Sequence, residues 1–107
     1  MIKYGELHQA LAHYTSEDIH ENIPVDFYRR VIKACFRANN IGLNWDVNQA
    51  ASILLYLAFN EGYVLPNQLN SDGLKTLDLA ERFLDQVNAG THKEVVRALV
   101  SAQGHIR

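Results

Sequence analysis

One cysteine, Cys35, stands in a chain of 107 residues, so no intrachain disulfide can form and a disulfide-stapled scaffold is excluded. Prolines are equally scarce, Pro24 and Pro66, and there are only six glycines. No Gly/Ser linker, repeat or low-complexity tract is present, so residues 1–107 read as a single helical domain. The longest strongly apolar run, Ala50–Phe59, falls far short of the roughly 20 residues that a bilayer-spanning helix needs. The opening Met-Ile-Lys-Tyr-Gly-Glu lacks the apolar stretch of a secretory signal. A cytoplasmic protein without membrane association is the expectation. Neither sign of charge dominates: 10 Lys and Arg stand against 12 Asp and Glu, a net of −2. That balance excludes a uniformly basic nucleic-acid binder and a uniformly acidic nucleic-acid mimic.

Strand alternation is also lacking, and helical spacing takes its place. Tyr4, Leu7, Leu11 and Tyr14 recur at helical intervals in the first segment. Thr15-Ser16-Glu17-Asp18 has the hydroxyl and acids of a fresh helix start, and Pro24 keeps that second helix short. Pro24 opens a third helix, whose apolar side comprises Val25, Tyr28, Val31, Ile32, Cys35 and Phe36 and which ends at Asn39, Asn40 and Gly42. Asn44 caps a fourth helix over about 45–60, apolar on nearly every side and therefore central. Ser71 caps a fifth, carrying Leu74, Leu77, Leu84 and Val87. Thr91-His92-Lys93-Glu94 is a capping box opening a sixth. The expected fold is all-α: a compact single-domain bundle of five to six short helices around an apolar central helix.

Catalytic motifs are missing. The histidines at 8, 13, 20, 92 and 105 never fall four residues apart, and Glu17-x-x-His20 occurs without the second copy that a di-iron bundle requires. No metal site and no cofactor are expected. Cys35, between Ile32 and Phe36, reads as a buried thiol with a raised pKa. Neither a Gly-x-Ser-x-Gly elbow nor a Gly-rich phosphate loop is present. No catalytic residues are assigned, and the chain is not expected to be an enzyme.

Charge is arranged in blocks that the net value conceals. Residues 1–26 carry −4, residues 27–40 carry +4, residues 41–70 and 71–90 carry −2 each, and residues 91–107 carry +2. The positive block is Arg29, Arg30, Lys33 and Arg37, three of them at i, i+4 and i+8, with no acid between Phe27 and Trp45. Such a stripe suits phosphates or an acidic partner protein, although it also fits an ordinary solvated helix face. Asp78, Glu81 and Asp85 form an acidic counterpart, with Arg82 able to pair with Asp78. The two faces can meet within one chain or between two copies, as a homodimer. Ala38–Leu74 contains no Lys or Arg, and Trp45 and Tyr63 within it are candidate aromatic anchors.

Gly90-Thr91-His92-Lys93-Glu94-Val95-Val96-Arg97-Ala98-Leu99, followed by Gly104-His105-Ile106, resembles the recognition-helix segment of winged-helix bacterial regulators. The resemblance covers about 17 residues, and a capping box before any amphipathic helix produces the same pattern. It implies that Thr91, His92, Lys93 and Arg97 face DNA while Val96 and Leu99 pack inward. The leading expectation is a non-catalytic interaction module. It docks on, and inhibits or adapts, a larger protein or nucleoprotein assembly through Arg29, Arg30, Lys33, Arg37, Trp45 and Tyr63. A small helix-turn-helix-like DNA-binding regulator using the 91–98 helix is the alternative, so direct nucleic-acid binding ranks second.

Overall fold

A computed structural model describes residues 2–89. Four α-helices lie in that range: α1 (Tyr4–Leu11), α2 (Val25–Asn40), α3 (Val47–Asn60) and α4 (Ser71–Ala89). One short 3-10 turn, His20–Asn22, precedes α2, and another, Pro66–Gln68, precedes α4. The all-α expectation holds, but among the described residues the helix count is four, where the sequence predicts five or six for the chain. The sixth helix, expected from Thr91, lies outside the described residues. Within them, the second helix does not form.

The reason is a pairing between distant segments. Thr15 and Leu69 form an isolated antiparallel bridge. The Ser16 N–H donates to the Gln68 carbonyl at 2.9 Å, and the Asn70 N–H donates to the Tyr14 carbonyl at 3.1 Å. Asn70 Nδ2 donates to the His13 carbonyl, and Gln68 Nε2 donates to Glu17. These bonds commit the backbone of residues 13–16 to the loop before α4, so the Thr15 signal opens no helix.

The remaining helix ends follow from local chemistry. Glu6 accepts the Lys3 N–H at the start of α1. Pro24 sits one residue before α2 with φ −56°, the value its ring imposes. The cap of α3 is Asp46, not Asn44. Asp46 accepts the Gln49 N–H, and Gln49 accepts the Asp46 N–H in return, a reciprocal capping box. Asn44 instead takes a left-handed φ of 55° in the connection from α2. Asn70, not Ser71, caps α4 through its Oδ1 to the Gly73 N–H at 2.8 Å. α2 and α3 both end in Schellman motifs. Gly42 and Gly62 occupy the positive-φ position at 87° and 85°, and Leu43 and Tyr63 donate back to Ala38 and Ala58.

α3 packs against α4, α1 and α2 and is the central helix. Ala50, Ala51, Ile53, Leu54, Leu55, Leu57 and Ala58 are all buried, so its apolar character on nearly every side is used. Leu7, Leu11, Ile19, Ile23, Tyr28, Val31 and Val64 complete a single connected core around it. At the α3–α4 contact the Ser52 and Thr76 hydroxyls meet at 2.6 Å, which satisfies both in a largely buried seam. No helix among the described residues is long and apolar enough to cross a membrane.

Candidate functional site

α2 has two unlike sides. Phe27, Val31, Ala34, Cys35 and Ala38 recur at i, i+4, i+7, i+8 and i+11 and are buried. Opposite them, Val25, Arg29, Lys33 and Phe36 are exposed, with Ile32 partly buried at their margin. Phe36 is 50 % exposed. A shallow depression of about 340 Å³ runs between Arg29, Ile32, Lys33 and Phe36. Aromatic and aliphatic surface is thus flanked by two cations on a face that no helix covers among the described residues.

The expected stripe is only partly realised. Arg29 and Lys33 are exposed, and Arg37 is half-buried. Arg30 is 8 % exposed. Its Nε donates to Asp26 Oδ2 at 2.9 Å, one turn back, and its guanidinium lies 4.2 Å from the centre of the Phe27 ring. Charge and flat face are both used inside the fold, so Arg30 drops out of the outer surface. None of Arg29, Lys33 and Arg37 joins an ion pair among the described residues. Their mutual repulsion at four-residue spacing costs a few tenths of a kcal/mol per pair, roughly.

The two candidate aromatic anchors separate. Trp45 is 2 % exposed, with its ring 5.1 Å from that of Phe83. Asn39 clamps its backbone, accepting the Trp45 N–H at 2.6 Å and donating to the Trp45 carbonyl at 3.1 Å. Trp45 is a core residue, and its buried Nε1 has no hydrogen-bond partner among the described residues. Tyr63 is 42 % exposed and sets its ring edge-on to Phe27 at 5.3 Å. It therefore flanks the first turn of α2, beside the Arg30–Phe27 stack and away from Phe36. Leu65, next along the loop, is also exposed.

The acidic counterpart is on α4. Asp78, Glu81 and Asp85 are exposed, and Arg82 pairs with Asp78 at 3.0 Å. No ion pair joins α2 to α4 among the described residues, so the two faces do not neutralise each other within this part of the chain.

Other chemistry is sparse. His8 Nε2 and Asp18 Oδ1 stand 3.7 Å apart beside an open cleft of about 270 Å³ between α1 and residues 15–19. No three His, Cys, Asp or Glu side chains among the described residues are grouped as metal ligands would be. Cys35 is buried, and burial first and the Asp46 charge second push its thiol up to about 12. Thr91, His92, Lys93 and Arg97, the alternative DNA-facing set, lie outside the described residues.

Sequence reasoning missed the exposure of Phe36 and Val25, which it placed on the apolar side of the helix. The signal was present. Phe27, Ala34 and Ala38 share one side of the wheel with Val31, and this turns the buried arc away from Phe36. Compared with known proteins, the chain matches no family model, no curated protein and no solved structure.

Proposed function

We propose that this chain is a non-catalytic cytoplasmic interaction module that docks on a larger protein or nucleoprotein assembly through the outer face of α2. It would act there as an adaptor or inhibitor. One observation carries the reading: an exposed Phe36 with Lys33 and Arg29 one and two turns before it around the same depression, neither of them in an ion pair among the described residues. An aromatic anchor with cations at its margin fits an interface, because aromatic burial at the centre supplies affinity and charge at the rim supplies steering and register. The matching surface on the partner is acidic with an apolar recess.

Affinity capture from the native host tests the reading, with wild-type chain compared against R29E/K33E and against F36A. These positions are exposed, so helicity and melting temperature should stay close to wild type. A protein retained by wild type and lost from both variants is the expected result. Equal recovery on all three removes α2 as the docking face.

A further inference from the structure

We infer that a second copy of this chain is an occupant of the α2 face, with Phe36 of one copy seated in a groove between α3 and α4 of its neighbour. This rests on the docking role of α2 and names a partner for it. The groove holds about 380 Å³, with Tyr56, Phe59 and Asn60 of α3 on one wall and Leu74, Leu77, Asp78 and Glu81 of α4 on the other. Polar surface outweighs apolar surface in it, but Tyr56, Phe59, Leu74 and Leu77 give it aromatic and aliphatic walls, and Leu74 at its edge is 50 % exposed. Its rim is acidic. Leu74, Asp78, Glu81 and Asp85 follow one another at i, i+4, i+7 and i+11, so three carboxylates line the side of α4 that borders the groove.

The α2 face has the complementary layout. Phe36 projects beside Ile32, and Lys33 and Arg29 stand about one and two turns before it. A ring with cations on one side therefore meets a slot with aromatic and aliphatic walls and an anionic rim, and both patterns run along a helix. Burial of the ring supplies the attraction, and the charges set register and exclude the reverse pairing of like faces. Asp78 already pairs with Arg82, but that pair is exposed on both sides and gives way to an incoming cation at little cost. Phe36 and the groove are separate patches on one chain, so the contact is heterologous: each copy offers a knob and a slot.

The experiment follows from that asymmetry. Lys33→Ala with Phe36→Ala disables the knob, and Leu74→Lys disables the slot. Glu81→Lys serves as a second slot variant should Leu74→Lys lower helicity. Sedimentation is run on each chain up to millimolar concentration. Wild-type weight-average mass should climb above the 12.1 kDa of one chain as concentration rises. Each variant alone should stay at one chain mass. An equimolar mixture of knob and slot variants should recover association and stop at two chains, because one intact knob meets one intact slot. A wild-type chain that stays monomeric, a variant that associates as wild type does, or a mixture that stays monomeric each overturns the inference. If wild type is monomeric while R29E/K33E still loses its captured protein, the second copy is rejected and the docking reading survives. If wild type associates but capture ignores both α2 variants, the larger partner is rejected instead.

Discussion

Cys35 and Tyr28 set how this protein responds to alkali. Burial raises the Cys35 thiol from its ordinary 9.0 to about 12, with the Asp46 charge adding to the effect. Tyr28 is also raised, by burial first and then by Tyr4 and Asp18. Both folded values lie above the unfolded ones. The unfolded chain therefore releases these protons at lower pH than the folded chain does, and stability falls as pH rises. The Cys35 contribution is complete below pH 9 and is lost as pH climbs toward 12. Thermal melts across alkaline pH should show a wild-type decline beginning near pH 9, and in Cys35→Ala the decline should begin later, where Tyr28 takes over. Matching profiles for the two chains would contradict the assignment. The buried character of Cys35 was legible because Val31, Ile32 and Cys35 sit in an apolar spacing. The fate of Arg30 was not. Its burial depends on Asp26 one turn back and on the Phe27 ring, and a run of four cations in sequence conceals which of them turns inward.

The start of α4 shows why helix ends were harder to read than helix existence. The 3.6-residue spacing placed α2, α3 and α4 within a few residues of where they lie, since each needs only its own apolar periodicity. The failed second helix depends on a partner about fifty residues away, since residues 13–17 bond to residues 67–70. The caps shift by only one or two residues, to a neighbouring side chain that bonds the first turn. Asn70 is the hub. Its Oδ1 caps Gly73, its Nδ2 holds the His13 carbonyl, and its N–H reaches Tyr14. Asn70→Ala should cost about 1–2 kcal/mol, as loss of a cap with a further side-chain bond does. Asn70→Asp keeps the cap and loses only the donor, so it should fall between Ala and wild type. Gly73 sharpens the test. In an open helix, Gly→Ala stabilises by about 1 kcal/mol. Here a Cβ would overlap the Tyr14 carbonyl oxygen, which the bond from Asn70 holds in place. Gly73→Ala should therefore destabilise, by about 1–3 kcal/mol. Denaturant midpoints at constant slope measure all three variants, and a stabilised Gly73→Ala would show that α4 does not start against the end of α1.

Across the whole molecule, the charge blocks of the sequence become separate faces. The positive block lies on α2 and the 71–90 acids lie on α4, with the apolar α3 between them. Arg29, Lys33 and the Asp78–Asp85 stripe were therefore legible as surface, whereas Phe36 and the α3–α4 groove appear only when the helices are assembled. Trp45 was ambiguous for the same reason. An aromatic at a helix start in an uncharged stretch suits an interface as well as a core, and Asn39 and Phe83 decide for the core. As the only tryptophan, Trp45 sits where three elements meet: Asn39 of α2 holds its backbone, α3 begins two residues later, and Phe83 of α4 packs on its ring. Its fluorescence therefore reports the junction of α2, α3 and α4, while far-UV dichroism reports the sum of the helices. One connected core predicts that the two signals are lost together in urea with the same midpoint and slope. Emission should shift to the red as the buried ring meets water. An indole signal that changes while most helicity persists would mean that α4 detaches from α3 before the rest unfolds. The groove would then open with it, and the proposed self-association would disappear at the lower of the two midpoints.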